Sequence, residues 1–221
     1  MPHDHDHPHD RSHAHGGTGA HKHPALRPDQ DDTITYWRAM EIAVRGLLIG
    51  KGIVTADEIR RAVEDMDART PLQGARIVAR AWTDPQFRRL LLADGNAACR
   101  MLGIDEGVYK LVVVENTPDV HNVIVCTLCS CYPRWLLGLP PDWYKSRNYR
   151  SRVINEPRDV LGEFGTEIAD GVTLRVHDST ADMRYLVLPM RPRGTEGWSE
   201  DRLAALVTRD SMIGVAFAAK P

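Results

Sequence analysis

Three of the four cysteines in this 221-residue chain stand within six residues, in the segment VCTLCSCYPR at residues 125–134. If the amides of Ser130 and Cys131 lose their protons, their nitrogens can bind one metal ion together with the sulfurs of Cys129 and Cys131. Cys126 can add an axial thiolate, which leaves a sixth position open for water or substrate. Deprotonated amides suit a trivalent, low-spin ion that acts as a Lewis acid without changing its oxidation state. The spacing therefore predicts a metal site with sulfur and amide nitrogen ligands.

Structural zinc is the simpler alternative, because it takes four nitrogen or sulfur ligands in a tetrahedron. Cys126 and Cys129 have a suitable spacing, and Cys99 or His121 could complete the set. Cys131 fits this interpretation poorly, since a zinc knuckle rarely takes two ligands separated by one residue. A non-catalytic metal-binding module stays open as an alternative, and otherwise we interpret Cys99 and His121 as structural.

Composition excludes several classes of protein. The formal net charge is -2 and no basic face is concentrated enough to bind a nucleic-acid backbone. No apolar run approaches the roughly 18 residues of a membrane span, and the N-terminus does not resemble a secretory signal. Four cysteines do not make a disulfide framework in a chain of this length. The sequence predicts a cytoplasmic protein that binds neither nucleic acid nor membrane.

The first 30 residues differ in composition from the rest of the chain. They contain eight of the ten histidines, with Asp, Gly and Pro between them and no apolar periodicity. Such a segment cannot bury a core, so we expect a disordered tail. It either collects a divalent transition metal or is a solvated tail that binds nickel or cobalt only on a column.

Residues 31–104 have helical periodicity and predict a helical arm followed by a helical segment. Apolar residues recur at three- and four-residue spacing from Trp37 to Leu47. Thr55 and Glu58 have the spacing of a capping box at the start of the next helix. Pro85 is well placed at the first position of a later helix.

Residues 105–221 change to a mixed pattern. Helical stretches are predicted at about 149–164, interrupted at Pro157, and at 199–207. Four β-branched runs of strand length begin at residues 110, 121, 172 and 183, with the sequences KLVVVEN, HNVIVC, VTLRVH and MRYLVLP. Because strands and helices do not alternate regularly, the pattern favours an α+β domain, which we expect to carry the metal site.

The cysteine segment resembles the metal-binding claw of the nitrile hydratase α subunit. The segments ENTPDVHNVIV, LGLPPDWYKS, YRSRVINEPR and RPRGTEGWSE also resemble that family, so that the likeness covers about residues 37–216. It implies a layered α-β-β-α domain after the helical arm. The γ subunit of thiocyanate hydrolase belongs to the same superfamily and stays as an alternative.

The resemblance implies Co(III) or Fe(III), one ion per chain, held by the sulfurs of Cys126, Cys129 and Cys131 and the amide nitrogens of Ser130 and Cys131. In that family the second cysteine becomes a sulfinate and the third a sulfenate, here Cys129 and Cys131. Thr127 follows the first claw cysteine, and in the family Thr at this place accompanies cobalt. We therefore expect cobalt rather than iron.

The implied reaction is hydration of a small nitrile to an amide, with Cys131 and Ser130 at the catalytic centre. Either the metal polarises the nitrile or the sulfenate oxygen of Cys131 attacks its carbon. The family supplies two arginines from a β subunit to the oxidised sulfurs, so this chain alone should hold an incomplete site. The expected partners are therefore one or more β-type subunits and a metal-insertion activator protein.

Three more residues follow from the resemblance. Asp182 and Arg184 align with a Glu-x-Arg pair that supports the metal ligands, with the alternative of an ordinary salt bridge between strands. Arg134 stands where the family usually has a tryptophan of the substrate pocket. A fixed positive charge there favours a polar or anionic substrate, unless Arg134 points to solvent or pairs with the β subunit. A glutamine usual in the family is missing near Glu106-Gly107.

Overall fold

The computed structural model describes residues 34–104, 108–129 and 131–221. The expected tail at residues 1–30, the pair Glu106-Gly107 and Ser130 lie outside the described residues. The chain divides into two compact units, Met1–Ile53 and Val54–Pro221. The predicted division into residues 31–104 and 105–221 stays a prediction.

The described part of the first unit contains helix α1, Tyr36–Gly50. Thr35 caps it, because its side chain accepts a hydrogen bond from the backbone N–H of Arg38 at 3.3 Å. No residue of α1 is buried, and most of its large apolar side chains are exposed, including Trp37 and Leu47. The helix predicted from the spacing of those residues is confirmed.

The described part of the second unit contains helices of 4 to 13 residues. The first begins at the predicted capping box, where Thr55 and Glu58 exchange hydrogen bonds of 2.7 and 3.1 Å. Pro85 takes the first position of another helix, as predicted. The helices are α2 (Ala56–Ala68), α3 (Leu72–Thr83), α4 (Pro85–Ala93), α5 (Gly95–Met101), α6 (Arg134–Leu137), α7 (Asp142–Lys145), α8 (Arg147–Asn155), α9 (Pro157–Glu163), α10 (Glu200–Ala204) and α11 (Arg209–Ile213).

The four predicted strands form two parallel pairs. They are β1 (Lys110–Glu115), β2 (Val120–Val125), β3 (Thr173–Asp178) and β4 (Met183–Leu188). Strand β1 pairs with β4, and β2 pairs with β3, so the consecutive strands β3 and β4 lie in different sheets. The sheets contact each other through β2 and β4, with α4 and α5 beside β1 and α9 beside β3. The fold is therefore the predicted α+β fold in α-β-β-α layers.

The core lies between the two sheets and the helices around them. Residues 123–125 and 186–188 are at most 1% exposed. Continuous apolar runs of this kind are typical of strands covered on both faces. Strand β2 is thus packed on both faces up to the residue before Cys126.

The first half of β2 carries a buried polar network. His121 Nε2 donates to the carbonyl of Gly214 at 2.7 Å, because a carbonyl oxygen only accepts. Its Nδ1 then accepts from the Asn116 amide at 3.2 Å. Asn122 donates to Asn116 Oδ1 and accepts from His177 Nε2 at 2.8 Å. The imidazole and amide groups of this network therefore serve the fold.

No helix among the described residues is long and apolar enough to cross a bilayer.

Candidate metal centre

The three clustered cysteines meet directly after β2. The Sγ atom of Cys129 lies 3.5 Å from that of Cys126 and 3.3 Å from that of Cys131. All three sulfurs lie within 4.8 Å of one another. Cys126 is buried, whereas Cys129 is exposed and Cys131 is half-buried. The sulfur of Cys126 is therefore anchored in the core, and the sulfurs of Cys129 and Cys131 face outward. This arrangement fits a metal ion that is bound on the protein side and accessible on the solvent side.

The loop that carries the sulfurs is fixed at several backbone atoms. Asp178 accepts hydrogen bonds from the Thr127 backbone N–H at 2.9 Å and from its hydroxyl at 2.6 Å. Arg150 donates to the Thr127 carbonyl at 3.3 Å, and the Tyr144 hydroxyl donates to the Cys131 carbonyl at 3.0 Å. The loop conformation that gathers the sulfurs is thus held by strand β3 and by α7 and α8.

The thiol of Cys131 is protonated at neutral pH in the metal-free chain. Burial, followed by hydrogen bonds to Cys129 and Cys126, raises the pKa of Cys131 to about 12, while Arg184 acts in the opposite direction. Sulfur binds metals as thiolate, so metal entry must release a proton from Cys131. A donor set of three neighbouring sulfurs fits a transition metal on these grounds.

The residues considered for a zinc site do not join the cluster. Among the described residues, the group that could hold an ion comprises Cys126, Cys129 and Cys131. His121 uses both ring nitrogens in the buried network, and Cys99 is fully buried in α5. Both positions agree with the structural roles predicted for them. Ser130, whose amide is a predicted ligand, is not described.

The two outward-facing cysteines open into a cleft of about 620 Å³. One wall is a face of α2 that includes Met66, and an ion pair between Arg69 and Asp65 (2.8 Å) lies at its edge. The remaining lining comes mainly from residues around β1, β4 and the segment after the cysteines: Val108, Tyr109, Tyr132, Arg134, Trp135 and Arg184. The cysteines can therefore be reached by a small molecule from this side.

Arg184 lies in this cleft, and its guanidinium is held by backbone carbonyls. It is only 6% exposed and donates to the carbonyls of Thr180, Ala181 and Met183. Within the described residues it pairs with no carboxylate. Asp182 is exposed, and its carbonyl accepts from the Lys110 backbone N–H. The structure therefore places Arg184 beside the cysteines but does not bring the Asp182 carboxylate to it.

Arg134 begins the short helix α6 and is exposed at the cleft. Its Nη1 atom lies 3.9 Å from the sulfur of Met66 in α2. Trp135, the next residue, is 8% exposed, and its buried indole N–H has no partner among the described residues. The side chain of Arg134 therefore lies where it can meet a molecule in the cleft.

Sequence reasoning did not identify Tyr109 or Asp178. Tyr109 reaches the cleft because β1 pairs with β4, and Asp178 reaches Thr127 because Val125 lies opposite it in the β2–β3 register. The acidic residue at the end of the VTLRVHD run was the one available signal for Asp178. Nothing local in the sequence marks Tyr109.

Comparison with known proteins gives a consistent result. The family model "Nitrile hydratase, alpha chain" matches residues 35–216. The cobalt-containing nitrile hydratase subunit alpha of Pseudonocardia thermophila is 52% identical over 177 residues, 78% of this chain and 86% of that protein. The thiocyanate hydrolase subunit gamma of Thiobacillus thioparus is 42% identical over 197 residues, 84% of this chain and 81% of that protein.

A solved structure of an Fe-type nitrile hydratase from Comamonas testosteroni Ni1 is also similar. It has a TM-score of 0.77 and 43% identity, and the match covers 84% of this chain and 91% of that one. At this level of identity the likeness extends beyond the fold.

Proposed function

This chain belongs to the nitrile hydratase alpha-chain family, and we propose that it is the catalytic, metal-binding subunit of a cobalt nitrile hydratase. The observation that carries this proposal is the cluster of Cys126, Cys129 and Cys131, which is anchored on one side and open to a cleft on the other. The reaction would be hydration of a small nitrile to the corresponding amide, in the cytoplasm.

The metal ligands would be the sulfurs of Cys126, Cys129 and Cys131 and the backbone amide nitrogens of Ser130 and Cys131. When bound, one Co(III) ion per chain would supply a Lewis acid for the reaction. Thr127 and the similarity to cobalt-containing relatives support cobalt over iron. Cys126 would hold the ion from the protein side, while the cleft gives the substrate access to Cys131 and Ser130.

The remaining residues of the cleft would position and select the substrate. Arg184 places a fixed positive charge beside Cys131, where it favours the anionic form of that sulfur and of any oxygen attached to it. Asp182 would support Arg184 only as part of the turn whose backbone carbonyls bind the guanidinium, and not through its carboxylate. Arg134 would meet polar or anionic groups of the substrate at the exposed edge.

Partner chains would complete the site. The cysteine side of the cleft is open, and Cys129 is exposed, so groups from one or more β-type subunits can reach the sulfurs. An activator protein would insert the metal. We therefore expect little or no activity from the isolated chain.

Thiocyanate hydrolysis is a second candidate, supported by the 42% identity to a thiocyanate hydrolase subunit gamma and by the cationic Arg134 at the cleft. Assaying the assembled protein with both nitriles and thiocyanate separates the two reactions.

The deciding experiment is metal analysis and mass spectrometry of the cysteine peptide after co-expression with a β-type subunit. The proposal predicts one cobalt per chain, two extra oxygens on Cys129 and one on Cys131, and nitrile hydration only in the complex. Zinc with unmodified thiols would instead identify a non-catalytic metal module. Stoichiometric iron in active enzyme made with both metals available would exclude cobalt as the native ion.

A further inference from the structure

Tyr109 is fixed in the wall of the cleft beside the cysteines by contacts on its aromatic ring. It lies one residue before β1 and lines the same cleft as Cys129 and Cys131. The Arg184 guanidinium carbon lies 3.9 Å from the centre of its ring. The ring of Trp135 is stacked on it, with the centroids 6.3 Å apart and the planes 28° from parallel. The Arg184 guanidinium and the Trp135 indole together hold the Tyr109 side chain in place.

Both groups that contact the ring are themselves buried. Arg184 is only 6% exposed and donates to three carbonyls of the turn before β4. Trp135 is 8% exposed in α6. Binding groups whose supports are locked by packing and hydrogen bonds lose little entropy when a ligand binds. Tyr109 is therefore preorganised in the cleft.

The hydroxyl of Tyr109 is available to a ligand. The residue is 37% exposed, and its hydroxyl makes no hydrogen bond within the part of the chain that the structure describes. Three other tyrosines lie near the cysteines. The Tyr132 hydroxyl also has no partner among the described residues, but it is buried, which puts it out of reach of a ligand. The other two donate to backbone carbonyls. The Tyr144 hydroxyl donates to the Cys131 carbonyl at 3.0 Å, and the Tyr149 hydroxyl donates to the Ile124 carbonyl at 2.8 Å. These hydroxyls hold the cysteine loop and the end of strand β2, whereas the Tyr109 hydroxyl makes no hydrogen bond among the described residues.

We propose that Tyr109 is a specificity-determining residue whose hydroxyl donates a hydrogen bond to an uncharged acceptor on the side chain of the substrate. The inference rests on the proposed nitrile-hydrating function and narrows its substrate class. The ring of Tyr109 is already in contact with Arg184 and Trp135, so the group it offers to a substrate is its hydroxyl, one neutral donor. The substrate class is therefore nitriles that carry an uncharged hydrogen-bond acceptor, such as a ring nitrogen.

An uncharged acceptor separates this role from that of Arg134. The guanidinium of Arg134 carries a fixed charge at the exposed edge of the cleft, which favours anions. A phenol is uncharged at neutral pH and discriminates by the presence or absence of a hydrogen-bond partner. A site that places such a group rejects the analogue that lacks the partner.

The test compares 3-cyanopyridine with benzonitrile, which have the same shape and differ in the ring nitrogen. For the assembled, metal-loaded complex we expect a higher kcat/KM on 3-cyanopyridine. Tyr109→Phe keeps the ring and its two contacts and should lower the ratio of the two kcat/KM values by about tenfold, the size of one net hydrogen bond. The effect should lie in KM, because the hydroxyl acts on binding.

Tyr185→Phe is the matched control. Tyr185 is next to Arg184, but its ring lies against that of His177, with the ring centroids 5.1 Å apart. Tyr185 is not one of the described residues that line the cleft. This variant should keep the wild-type ratio. An unchanged ratio in Tyr109→Phe, or an equal loss in both variants, would overturn the assignment of Tyr109.

A binding measurement keeps this inference distinct from the proposed function. Calorimetry on the complex with nicotinamide and benzamide requires no turnover. We expect tighter binding of nicotinamide by wild type and equal binding of the two amides by Tyr109→Phe. If wild type hydrates no nitrile but shows this difference, the proposed reaction fails and the role of Tyr109 stands. If wild type binds both amides equally, the role of Tyr109 fails whatever the reaction is.

Discussion

The two ends of strand β2 both carry side chains of kinds that bind metals, but they use them differently. At its beginning, His121 and the neighbouring amides of Asn116 and Asn122 are buried, and their polar groups are matched with one another or with backbone carbonyls. At its end, three thiols contact one another beside an open cleft. A site is therefore marked by whether the fold opens such side chains to a cleft, more than by residue type.

Backbone packing explains why the first end is closed. Gly214, after α11, has a φ of +92°, and a Cβ atom there would lie 2.0 Å from the Asn122 carbonyl oxygen. Only glycine allows this approach in that conformation. It brings the Gly214 carbonyl within hydrogen-bonding distance of His121. Both ring nitrogens of His121 are therefore used within the fold.

The largest effect should come from removing the buried sulfur at the open end. We expect Cys126→Ala to abolish cobalt retention and nitrile hydration in the complex. Loss of a group that only hydrogen-bonds to a metal ligand costs about 10- to 100-fold in metal affinity, and loss of the ligand itself costs more. Metal content per chain is the measurement. Cys99→Ala removes an equally buried cysteine outside the cluster and should keep its cobalt. Stoichiometric cobalt in Cys126→Ala would break the distinction between the two ends of β2.

A smaller effect is expected at the edge of the cleft. Arg134→Trp should lower the kcat/KM ratio between an anionic and a simple aliphatic nitrile by about tenfold, because a fixed charge is replaced by apolar area. Arg134→Lys is the control, since it keeps the charge and should retain most of the ratio. If the ratio stays the same in Arg134→Trp, the side chain of Arg134 faces solvent or the partner and does not select the substrate.

Much of the fold could be predicted because its signals are local. Runs of β-branched residues located all four strands to within a residue or two, and Pro157 marked the break between α8 and α9. The four-residue helices α6 and α7 were not predicted, because a single turn has no periodicity to detect. The pairing of β1 with β4 was also not predictable from local patterns, since these strands are far apart in the sequence.

The same distinction applies to the site. The three cysteines could be found because their spacing in one segment carries the chemistry. Tyr109 and Asp178 could not, because strand pairing between distant parts of the chain brings them to the cysteine loop or its cleft. Arg184 was found through the resemblance alone, and its neighbour Asp182 aligned equally well although its carboxylate is not beside Arg184.

The smallest expected effect concerns pH and the closed end of β2. Burial lowers the pKa of His121 below its usual value of 6.5, because the charged imidazole loses its hydration. The unfolded chain therefore binds this proton more readily, and the free energy of unfolding should fall as the pH drops below about 6.5. His121→Gln can still donate to Gly214 and accept from Asn116, but it does not titrate. Urea unfolding of both proteins at pH 7.5 and pH 5.0 should show a smaller loss of stability on acidification in the variant. The other histidines are the same in both proteins, so any difference between them comes from His121. Equal losses would mean that His121 takes up its proton as readily in the folded chain as in the unfolded one, and burial would then not disfavour its charged form.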